Sequence, residues 1–172
     1  MNALADPRVA QYINENFVST YLKVGTFQII NGKKVGGNVA SYFCQHDGSV
    51  VHAIPGQVGA ERLIQESRWA YEIRKSALTF ATDLDTGKTD MKKYRDKIMK
   101  CHAERYHAEG NEWSGHKSYR PVPASMPQHR SQQAQAHWLL ARNPLAKLDT
   151  LYPRVWRDIL QETLSDVPVA KR

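Results

Sequence analysis

Two cysteines and seven histidines are the residues of this 172-residue chain best equipped for chemistry. Cys44 and Cys101 lie far apart, form no CxxC and frame no disulfide scaffold. Cys101 precedes His102 and has Lys100, Arg105 and His107 nearby, surroundings that lower the pKa of an exposed thiol. It is therefore the candidate reactive thiol. A Cys and a His adjacent in sequence point to different faces of a helix, so the pair makes no dyad by itself. Cys44, beside Phe43 in a strand-like run, is expected to be buried and inert. His102, His107 and His116 are the densest histidine group. Two ligands share a helix face at spacings of three or four, however, and a spacing of five is about 140° out of phase. No HExxH or His-x3-His occurs, and His52, within VVHAI, reads as a satisfied sheet residue. Gly36-Gly37-Asn38 lacks the Lys-Ser/Thr of a phosphate loop, and Asp83 and Asp85 read as capping groups. These patterns predict no catalytic constellation, no cofactor site and no metal site.

Charge is the second chemical resource. The formal net charge is +7, and residues 88–147 carry all of it, with 12 Lys/Arg against 5 Asp/Glu. Such a local excess suits an anionic partner, although the basic residues are dispersed rather than clustered. Lys93, Lys97 and Lys100 share one face of a predicted helix. Trp113, Lys117, Tyr119 and Arg120 interleave aromatic and basic groups, a pattern that suits stacking on single-stranded nucleic acid or docking on a protein. Protein docking is the favoured reading, nucleic acid the alternative. The apolar runs are too short for a membrane span and no signal peptide is visible, so a cytoplasmic location is expected.

The elements that must position these residues follow from punctuation and periodicity. Asp6-Pro7 starts a short helix over 7–15. FVSTYLKV (17–24) is β-branched and aromatic and predicts a buried strand. Asn31-Gly32 and Asp47-Gly48 each predict a hairpin turn, the second joining VASYFC (39–44) to VVHAI (50–54). A long helix begins near Val58, with Trp69, Ile73, Ala77, Phe80 and Leu84 as its apolar stripe, widened by Leu63, Ala70 and Ala81, and ends near Thr86-Gly87. A second spans about 89–108, with Met91, Tyr94, Ile98 and His102 on one face. Residues 110–130, rich in Gly and Pro, predict a linker or extended arm. Helices resume over 134–142 and after Asn143-Pro144, with a kink or restart at Pro153.

DPRVAQYINENFVSTYLKV and SYFCQHDGSVVHAIPG, followed by an amphipathic helix, resemble the later part of a thioredoxin-like domain over about residues 5–80. The resemblance implies an α+β fold. The family's chemistry needs a CxxC ahead of the FV strand and a cis-proline before the next, and Asn38-Val39 stands at the latter place. The expected organisation is a truncated, redox-inactive thioredoxin-like domain (1–87), a basic helix (88–109), a Pro-rich linker or arm (110–130) and a helical region (131–172). The expected function is a non-catalytic binding or assembly module engaging a protein partner or itself. The alternatives are a single-thiol redox protein using Cys101 or Cys44, and nucleic-acid binding through 88–147.

Overall fold

Asn31 and Gly32 both adopt left-handed backbone, with φ of 51° and 74°, as a type I′ turn requires. They join β1 (Phe27–Ile30) to β2 (Lys33–Gly36), with Ile30 opposite Lys33. At the second turn Gly48 has φ 79°, and the Asp47 carboxylate accepts the Ser49 N–H at 2.9 Å. That turn joins β3 (Ala40–Cys44) to β4 (Val50–Pro55), with Phe43 opposite His52. The hairpins form two separate antiparallel sheets. This α+β fold is seen in a computed structural model that describes residues 3–22, 27–109 and 119–164. The strand predicted over 17–24 does not form in its described part: residues 17–22 are irregular, and Val18, Tyr21 and Leu22 are exposed. High β-propensity has no effect without a neighbouring strand to pack and pair with.

The helices are α1 (Pro7–Asn16), α2 (Ala60–Ala81), α3 (Met91–Ala108), α4 (Gln132–Arg142) and α5 (Leu148–Arg154). Side chains cap three of them, Asp6 on α1, Asp90 on α3 and Ser131 on α4. Helix α2 ends at Ala81, five residues before the predicted Thr86, because Asp83 draws the Asp85 and Thr86 N–H groups into a tight loop closed at Gly87 (φ 66°). Leu84 therefore falls beyond the helix and is 93% exposed; Phe80, within the helix but off its buried face, is 63% exposed, and Met91 is exposed too. The face of α2 that is buried carries Leu63, Glu66, Ser67, Ala70, Ile73, Ala77 and Ala81. Asn143-Pro144 does not restart a helix at once; Leu145 takes φ 58° and α5 begins at Leu148. Pro153 withdraws a backbone donor, and the helix widens into a π-turn over Val155–Ile159. Residues 119–131 are irregular, as their prolines predict, yet this part of the expected linker lies on α4. Trp138 Nε1–H donates to the Pro123 carbonyl at 2.8 Å, and Val122 and Met126 pack on the core. No helix among the described residues is long and apolar enough to cross a membrane.

All six residues of β4 are buried, and they supply three apolar clusters. Val50 and Ala53 join Leu139, Leu151, Val155 and Trp156; Ile54 joins Val9, Phe43 and Leu63; Val51 joins Ile73, Ala77, Tyr94 and Ile98. One edge of β4 pairs with β3. On the other, the carbonyls of Val51 and Ala53 accept from His102 Nε2–H at 2.8 Å and from the Gln133 amide at 3.2 Å. In urea denaturation Ile73→Ala should cost about 2–5 kcal/mol and Phe80→Ala under about 0.5 kcal/mol, although the predicted stripe counts both residues as core.

Candidate metal centre

His52 from β4, His102 from α3 and His137 from α4 meet in the interior, each 0% exposed. One ring nitrogen of each lies within 4.8 Å of those of the other two. The remaining nitrogens fix how the rings are turned. His52 Nε2 is 2.9 Å from Glu66 Oε2; a carboxylate only accepts, so the hydrogen is on Nε2 and His52 Nδ1 keeps a lone pair. That Nδ1 is buried with no partner. His102 Nε2–H is committed to the Val51 carbonyl, so His102 Nδ1 is also an acceptor. It lies 2.9 Å from His137 Nδ1, which therefore carries the hydrogen, and His137 Nε2 accepts from the Gln133 amide at 3.4 Å. The arrangement is outward-held nitrogens with inward-facing Nδ1 atoms, the pattern in which metal-ligating histidines are oriented by a carboxylate or carbonyl behind them.

Glu66 anchors the outer layer. Burial raises the pKa of its carboxyl, but the His52 hydrogen bond and the Arg105 and Arg62 charges outweigh that and hold it below the usual carboxylate value. Arg105 Nη2 reaches both oxygens, at 2.8 and 2.9 Å, and Arg62 Nη2 lies 2.7 Å from Oε1. Arg62 also contacts Glu109 at 2.8 Å, which carries the network to the surface. Trp69 stands edge-on to all three imidazoles, its centroid 4.7, 5.1 and 5.2 Å from theirs, and the Arg105 guanidinium stacks on it at 4.8 Å. Burial depresses all three histidine pKa values, that of His102 to about 3. The rings are neutral at physiological pH, the state a metal ligand needs.

Of the histidine group singled out by sequence, only His102 belongs to this centre, and the candidate thiol and partner-binding residues lie elsewhere. Cys101 is half-buried, and burial pushes its thiol up, opposite to activation. Cys44 is exposed rather than buried, since β3 belongs to a two-stranded sheet whose cover at that end reaches Phe43 and not its neighbour. Crowding and the Asp47 carboxylate push its thiol up as well. Lys93 and Lys100 are exposed and Lys97 half-buried; Tyr119 and Arg120 are exposed, with the Lys100 ammonium 5.7 Å from the Tyr119 ring. Trp113, His116 and Lys117 lie outside the described residues. His107 is buried against Tyr106, and His52 is satisfied at one nitrogen only. Spacing along one helix could not reveal a centre drawn from three elements. The available signals were Glu66 in phase with the buried face of α2, and His102 and His137 within otherwise apolar helix faces.

Scans against family models, curated proteins and solved structures found no match to the chain. The chemistry must be argued from the geometry. Because the folded-state pKa values are depressed, the histidine contribution to stability is intact above the unfolded value of about 6.5 and is lost as pH falls below it. Urea denaturation of chelator-treated protein between pH 7.5 and 5 should therefore show a steep loss of stability below pH 6.5. His102→Gln should flatten that slope.

Proposed function

We propose that this chain is a metal-binding protein in which His52, His102 and His137 hold one first-row transition-metal ion. What carries the reading is the convergence of inward nitrogens on three fully buried histidines whose outward nitrogens are otherwise engaged, with His52 Nδ1 left unpartnered. A buried polar atom without a partner is costly, and a metal ion would satisfy it. The ion would take the place of the proton shared by His102 and His137. His137 would then carry its hydrogen on Nε2, and Gln133 would have to give up its bond to the Ala53 carbonyl to accept it. An ion here ties β4, α3 and α4 together, so its binding free energy adds to folding free energy. Enclosure of the three rings fits a structural or metal-storage role better than turnover of a substrate.

Chelator-treated protein should bind one equivalent of metal with a rise in Tm, and His137→Gln should abolish binding. Glu66→Gln keeps the shape of the site but weakens the acceptor behind His52, and should lower affinity by about 10–100-fold. A folded protein that binds no metal in calorimetry and shows no Tm shift overturns the reading.

A second reading, self-assembly, is favoured by the exposure of Val18, Tyr21, Leu22, Ile29, Ile30 and Val39 and by strand edges left open in two-stranded sheets. The order β3, β4, Pro55-Gly56, α2 also supports a thioredoxin-like origin for that unit. Light scattering after gel filtration should show a dimer or larger species insensitive to salt, dispersed by Ile29→Lys. A monomer, or a monomer that shifts only with nucleic acid at low salt, removes this reading.

A further inference from the structure

Resting on the metal reading above, we infer that the ion selected by this centre is cuprous copper, bound by three neutral imidazoles without a fourth protein ligand. The donor set is the first reason. The group that converges is three histidines alone; no cysteine or carboxylate completes it among the described residues. Zinc in a closed site takes four ligands, and in an open one it adds water as the fourth. Here all three rings are 0% exposed. A cuprous ion shares zinc's filled d shell but carries a single charge, and it is content with two or three nitrogen donors.

The second reason is Trp69. Its indole is nearly equidistant from the three rings, at 4.7, 5.1 and 5.2 Å between centroids, so it lies over the middle of the triangle they make. That is where a fourth ligand on that side would stand. The Arg105 guanidinium on the indole, itself held by Glu66, keeps the ring in place.

Charge is the third. Beside the histidines, Glu66 and Glu109 are matched by Arg62 and Arg105, so the ionic layer has no spare negative charge for the ion. Burying a dication with three neutral ligands and no anionic one is far more costly than burying a monocation.

The test uses the whole chain, freed of metal and kept anaerobic with ascorbate, and titrates Cu+ and Zn2+ separately against chromophoric chelators of known affinity. The expected result is one equivalent of Cu+ held tighter than Zn2+ by about a hundredfold or more, with X-ray absorption showing nitrogen neighbours only, three in number. Trp69→Leu opens the capped side and should shrink that preference by about tenfold by improving Zn2+ binding; Trp69→Phe, which keeps an aromatic cap, should change it less. Zn2+ bound as tightly as Cu+, or a four-coordinate ion in the wild type, overturns this inference and leaves the metal centre standing. Failure of both ions to bind overturns the metal reading itself.

Discussion

A buried strand edge is the constraint on which the rest of the structure depends. β4 pairs with β3 on one side only, yet its six residues are all buried. Water cannot serve the carbonyls on the other side, and an unsatisfied buried carbonyl costs about as much as a lost hydrogen bond. The chain answers with side chains: His102 of α3 takes Val51, and Gln133 of α4 takes Ala53. Both helices are thereby placed against the strand at defined heights. The same demand settles the hydrogen of His102 on Nε2, so a lone pair must face inward at Nδ1. The centre is in this sense a by-product of how an edge strand is covered.

Glu66 does for α2 what His102 does for α3. A carboxylate among Leu63, Ala70 and Ile73 would be costly alone, and it is tolerated because His52, Arg62 and Arg105 occupy its oxygens. Three elements, β4, α2 and α3, are joined at that one group. Such a network is intolerant of partial removal, since each missing member strands a buried charge. Arg105 serves twice, holding Glu66 with its guanidinium nitrogens and stacking on Trp69.

Local chemistry was legible in the sequence wherever local chemistry decides. Asn31-Gly32 and Asp47-Gly48 made their turns, and Asp6-Pro7 opened its helix where expected, because backbone strain and free N–H groups are settled within four residues. The second long helix and the one over 132–142 were also readable. Residues 17–22 were not, since strand formation needs a partner that propensity does not reveal. The buried stripe of α2 was legible at Leu63, Ala70, Ile73, Ala77 and Ala81; Phe80 and Leu84 were wrongly added to it because they are apolar, and Glu66 was missed because it is not, whereas packing placed it inside. As for the centre, each histidine had a bland local reading. Only tertiary contact between positions in different elements unites them, and one sequence carries no trace of such contact.

The spread of the three histidines along the chain has a kinetic side. They lie in β4, α3 and α4, and the 102–137 step spans the Gly- and Pro-rich stretch. No pair sits within a single helical turn, so no fragment of the chain presents two of these rings before its long loops close. Loop closure must precede any reward from these contacts, which places the centre late in folding and makes it depend on sequence-distant pairing. A ribosome-bound chain lacking α4 would carry His52 and His102 without the third ring. Delayed assembly of this kind confines the complete three-histidine arrangement to a chain that has already found its tertiary structure.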